Sequence, residues 1–284
     1  MSTWVWVDGN LSPAHEAHVA ALDHGVTVGD GVFETCKVVD GTPFALTRHL
    51  ARLHRSADII GLRVPWTDAD LRAASEAAIG AAAADAANAT VGVQRLRITV
   101  TGGPGPLGSD RSDVPPTLVV AAGPGSPWPP TTSVVTVPWT RNERSAVAGA
   151  KTTSYAENVV ALAEAHRHGA SEALLTNTVG IVSEGTGSNV FFELDDLLVT
   201  PSLASGCLAG ITRALVCEVA DVVERDDLTF DDLRRATEAF LTSSTRDVQP
   251  IDALDGRPLT APGPLTTAAA AAFAALQAQT LDPV

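Results

Sequence analysis

The chain has 284 residues and a formal net charge of −14, a length that holds one large domain or two modest ones. Hydrophobic residues make up 45% and charged residues 18%, enough for a buried core and too apolar for wholesale disorder. So acidic a surface repels phosphate backbones, which argues against nucleic acid as a partner but leaves room for a local basic pocket that takes a small anion.

The opening MSTWVWVDGN has neither a basic start nor an apolar signal core. No apolar run approaches the ~18 residues of a membrane span, so a cytoplasmic protein without a membrane partner is expected. Thr3 to Asp8 alternate like a short strand, Val32 to Val39 form a second, and Asp40-Gly41 is a hairpin turn signal. Leu50, Leu53, Ala57 and Ile60 recur at helical spacing, which predicts an amphipathic helix over Leu46 to Ile60. Thr67 is a cap candidate for a second helix running from Asp68 to about Ala86. Gln94 to Thr101 and Thr117 to Ala121 read as strands. Strands and helices mix here without a βαβ rhythm, the mark of an α+β arrangement.

Residues 123–130 (GPGSPWPP) are rich in Gly and Pro and form the linker candidate, which divides the chain into domains 1–122 and 131–284. Beyond it the predicted elements are strands at Ser133 to Val137, Glu172 to Thr176, Asn189 to Glu193, Leu197 to Thr200 and Ala239 to Ser243. Helices are predicted over Ser154 to His168 and Thr212 to Val223, with a closing Ala-rich helix around Ala268 to Leu276.

Cys36, Cys207 and Cys217 form no CxxC pair, and neither His15/His18 nor His166/His168 has the i, i+4 spacing of a zinc helix, so no metal is expected. Gly103, Gly105 and Gly108 spell GxGxxG, but Pro104 and Pro106 interrupt them and no helix follows, which favours a loop over a dinucleotide site. Two other segments combine glycine with hydroxyl side chains: Ser183 to Asn189 (SEGTGSN) and Leu208 to Arg213 (LAGITR), the second running into a predicted helix. A helix N-terminus is a phosphate site, and it is also ordinary cap chemistry. Ser243, Ser244 and Thr245 form another hydroxyl cluster at a strand end. Lys151 is one of only two lysines and has no acidic neighbour within five residues. It reads either as a solvated lysine before a helix or as a desolvated, nucleophilic amine.

Six segments in order resemble the class IV aminotransferases, the fold-type IV pyridoxal-phosphate enzymes: DHGVTVGDGVFET (23–35), RHLARLHRSA (48–57), AGAKTTSYAENV (149–160), TNTVGIVSEGTGSNVF (176–191), CLAGITR (207–213) and LTSSTRDVQPI (241–251). This resemblance implies a two-domain α+β fold, with a smaller N-terminal α/β domain and a larger C-terminal mixed β domain carrying helices. It implies a homodimer with pyridoxal 5'-phosphate as cofactor. Lys151 would hold the cofactor as a Schiff base and move the proton during catalysis. Glu184 would pair with the ring nitrogen, and Arg52, with Arg55 as second choice, would clamp the phosphate. Gly210, Ile211, Thr212, Ser243 and Ser244 would complete the phosphate cup, Ser188 and Asn189 would lie beside it, Leu208 would pack on the ring and Tyr155 would hold its O3′ side.

The resemblance further implies that Phe33, Lys37, Val28 and Thr245 would lie on the substrate side. Leu107 stands where D-amino-acid transaminases and aminodeoxychorismate lyases carry a loop arginine, so Arg97 or Arg95, on one face of the preceding strand, would take the substrate carboxylate. The reading taken is a transaminase of D-amino acids with latitude toward (R)-amines, using a 2-oxo acid as acceptor. The alternatives within the resemblance are, in order, 4-amino-4-deoxychorismate lyase, a branched-chain L-amino-acid aminotransferase, and a non-catalytic ligand-binding protein on the same scaffold.

Overall fold

The computed structural model describes every residue except Met1, Ala86, Asn88 and Ala89. It is an α+β chain that divides into two compact units. The first comprises Met1–Pro127, Ala150–Tyr155 and Leu281–Val284, and the second comprises Trp128–Gly149 and Ala156–Thr280. The chain leaves the first unit after Pro127 and returns to it at Ala150–Tyr155 and at Leu281–Val284. Ala150–Tyr155 joins the first unit because its backbone pairs there. Phe33 N–H donates to the Lys151 carbonyl, Thr153 N–H donates to Gly31, and Val32 and Thr152 form an isolated bridge.

The first unit is built on a six-stranded antiparallel sheet in the order Asn10–Pro13, Trp4–Val7, Thr117–Gly123, Arg95–Thr101, Gly31–Val39, Thr42–Pro43. Period-two alternation puts Val32, Cys36, Val38, Leu96, Ile98, Val100, Leu118 and Val120 on one face. Two helices, Leu46–Ile59 and Asp68–Ala84, cover that face with Leu50, Leu53, Ala57, Leu71 and Ile79. The predicted end of the second helix at Ala86 lies outside the described residues. Thr67 caps it in a complete capping box with Asp70.

The second unit holds a nine-stranded mixed sheet. Its order is Val223–Arg225, Leu197–Pro201, Asn189–Leu194, Ala239–Ser243, Asp247–Leu254, Thr132–Arg141, Glu172–Asn177, Val182–Gly185, with Arg257–Pro258 paired to Asp247–Leu254. The helix Ala156–Arg167 makes the parallel crossover between Thr132–Arg141 and Glu172–Asn177. The expected helix over Thr212 to Val223 is shorter, Ile211–Val219, because Val223–Arg225 pairs in parallel with Leu197–Pro201. Asp247–Leu254 and Phe230–Arg235 were not predicted as a strand and a helix. Polar residues and Pro250 break the apolar alternation in the first, and the second has only six residues. The closing helix spans Pro264–Gln279, with proline in its first turn where no N–H is needed. No helix among the described residues is long and apolar enough to cross a membrane.

Candidate active site

In the first unit one charged residue lies on the core face of the Gly31–Val39 strand. Glu34 is fully buried between Val32 and Cys36, a position that demands partners. Helix Leu46–Ile59 supplies them. Arg52 Nε and Nη2 donate to the two carboxylate oxygens at 2.7 and 2.6 Å, and His49 Nδ1 lies 2.6 Å from Oε2. Burial alone would raise the Glu34 carboxyl, but the Arg52 charge, and after it His49, outweigh burial and hold it well below the usual carboxylate range. Burial pulls His49 down against the opposing pull of Glu34, so the ring is neutral and Nδ1 is the donor. Arg55, three residues beyond Arg52, faces out. Glu34 and His49 escaped the sequence reading, although a lone acid among inward-facing apolar residues is the signal of a buried ion pair.

The opposite face of this sheet, away from the helices, carries Phe33, Thr35, Lys37, Arg95, Arg97 and Thr99. Register sets Lys37 opposite Arg95, Thr35 opposite Arg97 and Phe33 opposite Thr99. The Arg97 guanidinium lies 3.7 Å from the Phe33 ring centroid, and Lys151 Nζ lies 4.5 Å from the same centroid. Tyr155 meets Phe33 edge-on at 5.2 Å, and Lys151 Nζ donates to its hydroxyl oxygen at 3.2 Å. Lys151 is half-buried, with no carboxylate partner among the described residues. Arg95 and Arg97 likewise have no acidic partner there. Lys37 is half-buried with Nζ 5.8 Å from the Phe44 centroid, and Val28 is 44% exposed.

The Gly102–Pro116 segment is a loop, not a nucleotide-binding turn. Gly103 has φ +74°, and a Cβ there would come 2.3 Å from the Pro115 carbonyl. Leu107 is 81% exposed at its tip. Arg111, later in the loop, is fastened to Asp30 at 2.6 and 2.7 Å and to the carbonyls of Ile60 and Gly61.

In the second unit Glu184 sits on strand Val182–Gly185. Its Oε2 accepts the Leu208 N–H at 2.9 Å, and Oε1 lies 3.0 Å from Arg141 Nε as an ion pair whose N–H is not aligned for a hydrogen bond. The next turn wraps around buried Glu172, which accepts from Thr186 N–H at 2.9 Å, from the Thr186 hydroxyl, and from the Ser188 hydroxyl at 2.9 Å. Ser188 therefore braces the turn. Asn189 Nδ2 donates to the Leu208 carbonyl at 3.0 Å and so ties the two glycine-containing segments together. Gly210 is the N-cap of helix Ile211–Val219. That helix start has no side-chain cap hydrogen bond, so its first N–H groups are directed past the chain end. A Cβ on Gly210 would meet the Asn189 side chain at 2.0 Å. Ser243 Oγ accepts the Arg246 N–H at 3.2 Å, Thr245 Oγ accepts from Trp128 at 3.3 Å, and Ser244 is half-buried. Arg141 and Glu172 were also missed in the sequence, since nothing local marks them.

Residues 31–254 match the family model described as amino-transferase class IV. The chain belongs to the class IV aminotransferases. Similar curated relatives include a putative branched-chain-amino-acid aminotransferase of Methanocaldococcus jannaschii, 33% identical over 89% of this chain and 88% of the relative. Another is the D-alanine aminotransferase of Bacillus licheniformis, 29% identical over 92% and 93%. Among solved structures, a T.th. branched-chain amino acid aminotransferase complexed with N-(5'-phosphopyridoxyl)-L-glutamate superposes with a TM-score of 0.84 at 27% identity, covering 98% of this chain and 94% of that one. Pyridoxal phosphate is the cofactor of this class IV aminotransferase. The residues present suit it. A half-buried amine without a carboxylate partner suits an aldehyde, an uncapped helix start suits a phosphate, and the carboxyl group of Glu184 suits a ring nitrogen.

Proposed function

We propose that this class IV aminotransferase moves the amino group of D-amino acids, with latitude toward (R)-primary amines, to a 2-oxo acid such as 2-oxoglutarate or pyruvate. Lys151 would hold the cofactor, Glu184 its ring nitrogen, and Leu208 a ring face. Arg52, the Ile211–Thr212 helix start, Gly210 and the Ser243–Ser244 turn would serve its phosphate. When bound, pyridoxal phosphate supplies the electron sink that lets a substrate Cα–H be removed. Lys151 Nζ would carry that proton, and Tyr155, 3.2 Å from Nζ, would orient the amine.

The observation that carries the substrate assignment is Arg97. Its guanidinium is laid on Phe33, whose ring also receives Lys151 Nζ, and it has no acidic partner among the described residues. A donor carboxylate placed there would be held beside the reacting amine. Latitude follows from the loop: apolar Leu107 is at its tip and Arg111 is already committed to Asp30. The D-configuration draws support from the D-alanine aminotransferase relative. A second reading, a branched-chain L-amino-acid aminotransferase, is favoured by the names of other relatives.

A panel of D-amino acids, branched-chain L-amino acids and (R)-phenylethylamine, each with 2-oxoglutarate and with pyruvate, decides between them. Turnover of D-alanine above L-leucine is expected, and the reverse order ends the D-assignment. Lys151→Ala should lose roughly a thousandfold or more in turnover, and borohydride should trap cofactor on the wild type alone. A homodimer belongs to the same proposal. Leu22, Val26, Val28 and Leu107 are all exposed in the first unit, where Gly105 N–H bonds the Leu22 carbonyl. Sedimentation that finds only monomer rejects it.

A further inference from the structure

We propose that Ser56 is a positioning residue for Lys151. Its hydroxyl accepts the Lys151 main-chain N–H at 3.0 Å and thereby ties the cofactor-bearing residue to the helix that carries Arg52. The inference rests on Lys151 as the attachment point and Arg52 as a phosphate ligand.

Lys151 lies outside any helix. Its carbonyl and the groups of Thr152 and Thr153 are held by the Gly29–Phe33 segment: Phe33 N–H donates to the Lys151 carbonyl, Thr153 N–H to Gly31, and the Thr153 hydroxyl to Gly29. Those bonds fix the Lys151 carbonyl and the residues that follow it. The Lys151 N–H has a different partner, the hydroxyl of Ser56, which is 1% exposed. A serine inside a helix competes with the helix's own bonding and is mildly unfavourable there. A buried serine that accepts from a distant backbone N–H therefore has a task beyond forming the helix.

The spacing gives the task its meaning. Ser56 follows Arg52 by four residues, so both project from one face of helix Leu46–Ile59, one turn apart. Arg52 is locked by its fork on Glu34 and cannot slide. The aldehyde carbon and the phosphate of the cofactor are held apart by a rigid ring, so the lysine backbone and the arginine must keep a matching separation. One helical turn with Arg52 at one end and Ser56 at the other is a ruler for that separation.

Full-length Ser56→Ala is compared with wild type in two titrations. One is pyridoxal phosphate followed by visible absorbance, and the other is inorganic phosphate binding to the cofactor-free protein followed by calorimetry. Removing the acceptor should weaken pyridoxal phosphate about tenfold, the size of one orphaned backbone donor. Inorganic phosphate, which needs Arg52 and not Lys151, should change by less than about twofold on the same reasoning. Ser56→Thr should restore most of the loss. Ser56→Cys, which keeps the volume and weakens the acceptor, makes the same comparison if the alanine variant does not fold. Equal weakening of both ligands means that Ser56 serves only helix integrity and overturns the proposal, as does unchanged cofactor affinity. If Lys151→Ala gives the same spectra with pyridoxal phosphate as wild type, the assignment of Lys151 itself fails, and Ser56 loses its role with it.

Discussion

Glu34 is a single carboxylate that satisfies two buried bases, and this makes it the most consequential side chain in the first unit. Replacing it by glutamine would leave the Arg52 charge without its counter-ion in a buried site, a change that costs about 3–5 kcal/mol. Denaturant unfolding should show that loss, and a change under about 1 kcal/mol would mean that water reaches the site. The triad also sets a pH dependence. Glu34 and His49 both have folded pKa values below their ordinary ones. Each therefore contributes stability that is complete above its unfolded pKa and is lost as pH falls toward the folded value. His49 begins to titrate in the unfolded chain near its ordinary 6.5 and Glu34 near 4.5. Stability should be level above pH 7 and decline below about 6.5, with His49→Phe removing the upper part of the decline. A wild-type profile flat from pH 7 to 5 would contradict the neutral, buried assignment of His49.

At the scale of elements, capping and loop geometry carry separable contributions. Thr67 and Asp70 close both ends of a capping box at 2.8 and 3.2 Å, and Thr67→Ala should cost about 1 kcal/mol without altering cofactor affinity. Helix Leu46–Ile59 begins differently. Its N-cap Ala45 is left-handed and offers no side chain, and Asp282 fills the role from far along the chain, accepting the Thr47 N–H at 2.8 Å and its hydroxyl at 2.6 Å. Gly103 shows what the loop demands: Gly103→Ala adds a Cβ 2.3 Å from a backbone oxygen at a left-handed φ, so it should lower the unfolding midpoint more than Thr67→Ala does. The reverse ranking would show that the Gly102–Pro116 loop gives way easily.

For the whole molecule, cofactor and fold should be linked. A ligand held only by the folded chain at about a hundred times its Kd adds roughly 2.7 kcal/mol, so removing pyridoxal phosphate should lower the thermal midpoint, and Lys151→Ala should shrink the difference between the loaded and cofactor-free proteins. Equal midpoints would argue against specific binding. By itself, the sequence determined the family, the cofactor and most of the regular elements. Apolar period, cap residues and Gly-rich turns are local signals, and six ordered motifs, among which Lys151, Glu184 and Arg52 fall, resemble those of the family. Only the tertiary structure decided what those residues touch. Arg52 is forked on Glu34, Arg111 is spent on Asp30, Ser188 braces Glu172, and the Lys151 segment belongs to the first unit. Each of these contacts joins positions far apart along the chain, and pairing over such separations depends on sheet register and helix packing, which no local run of residues records.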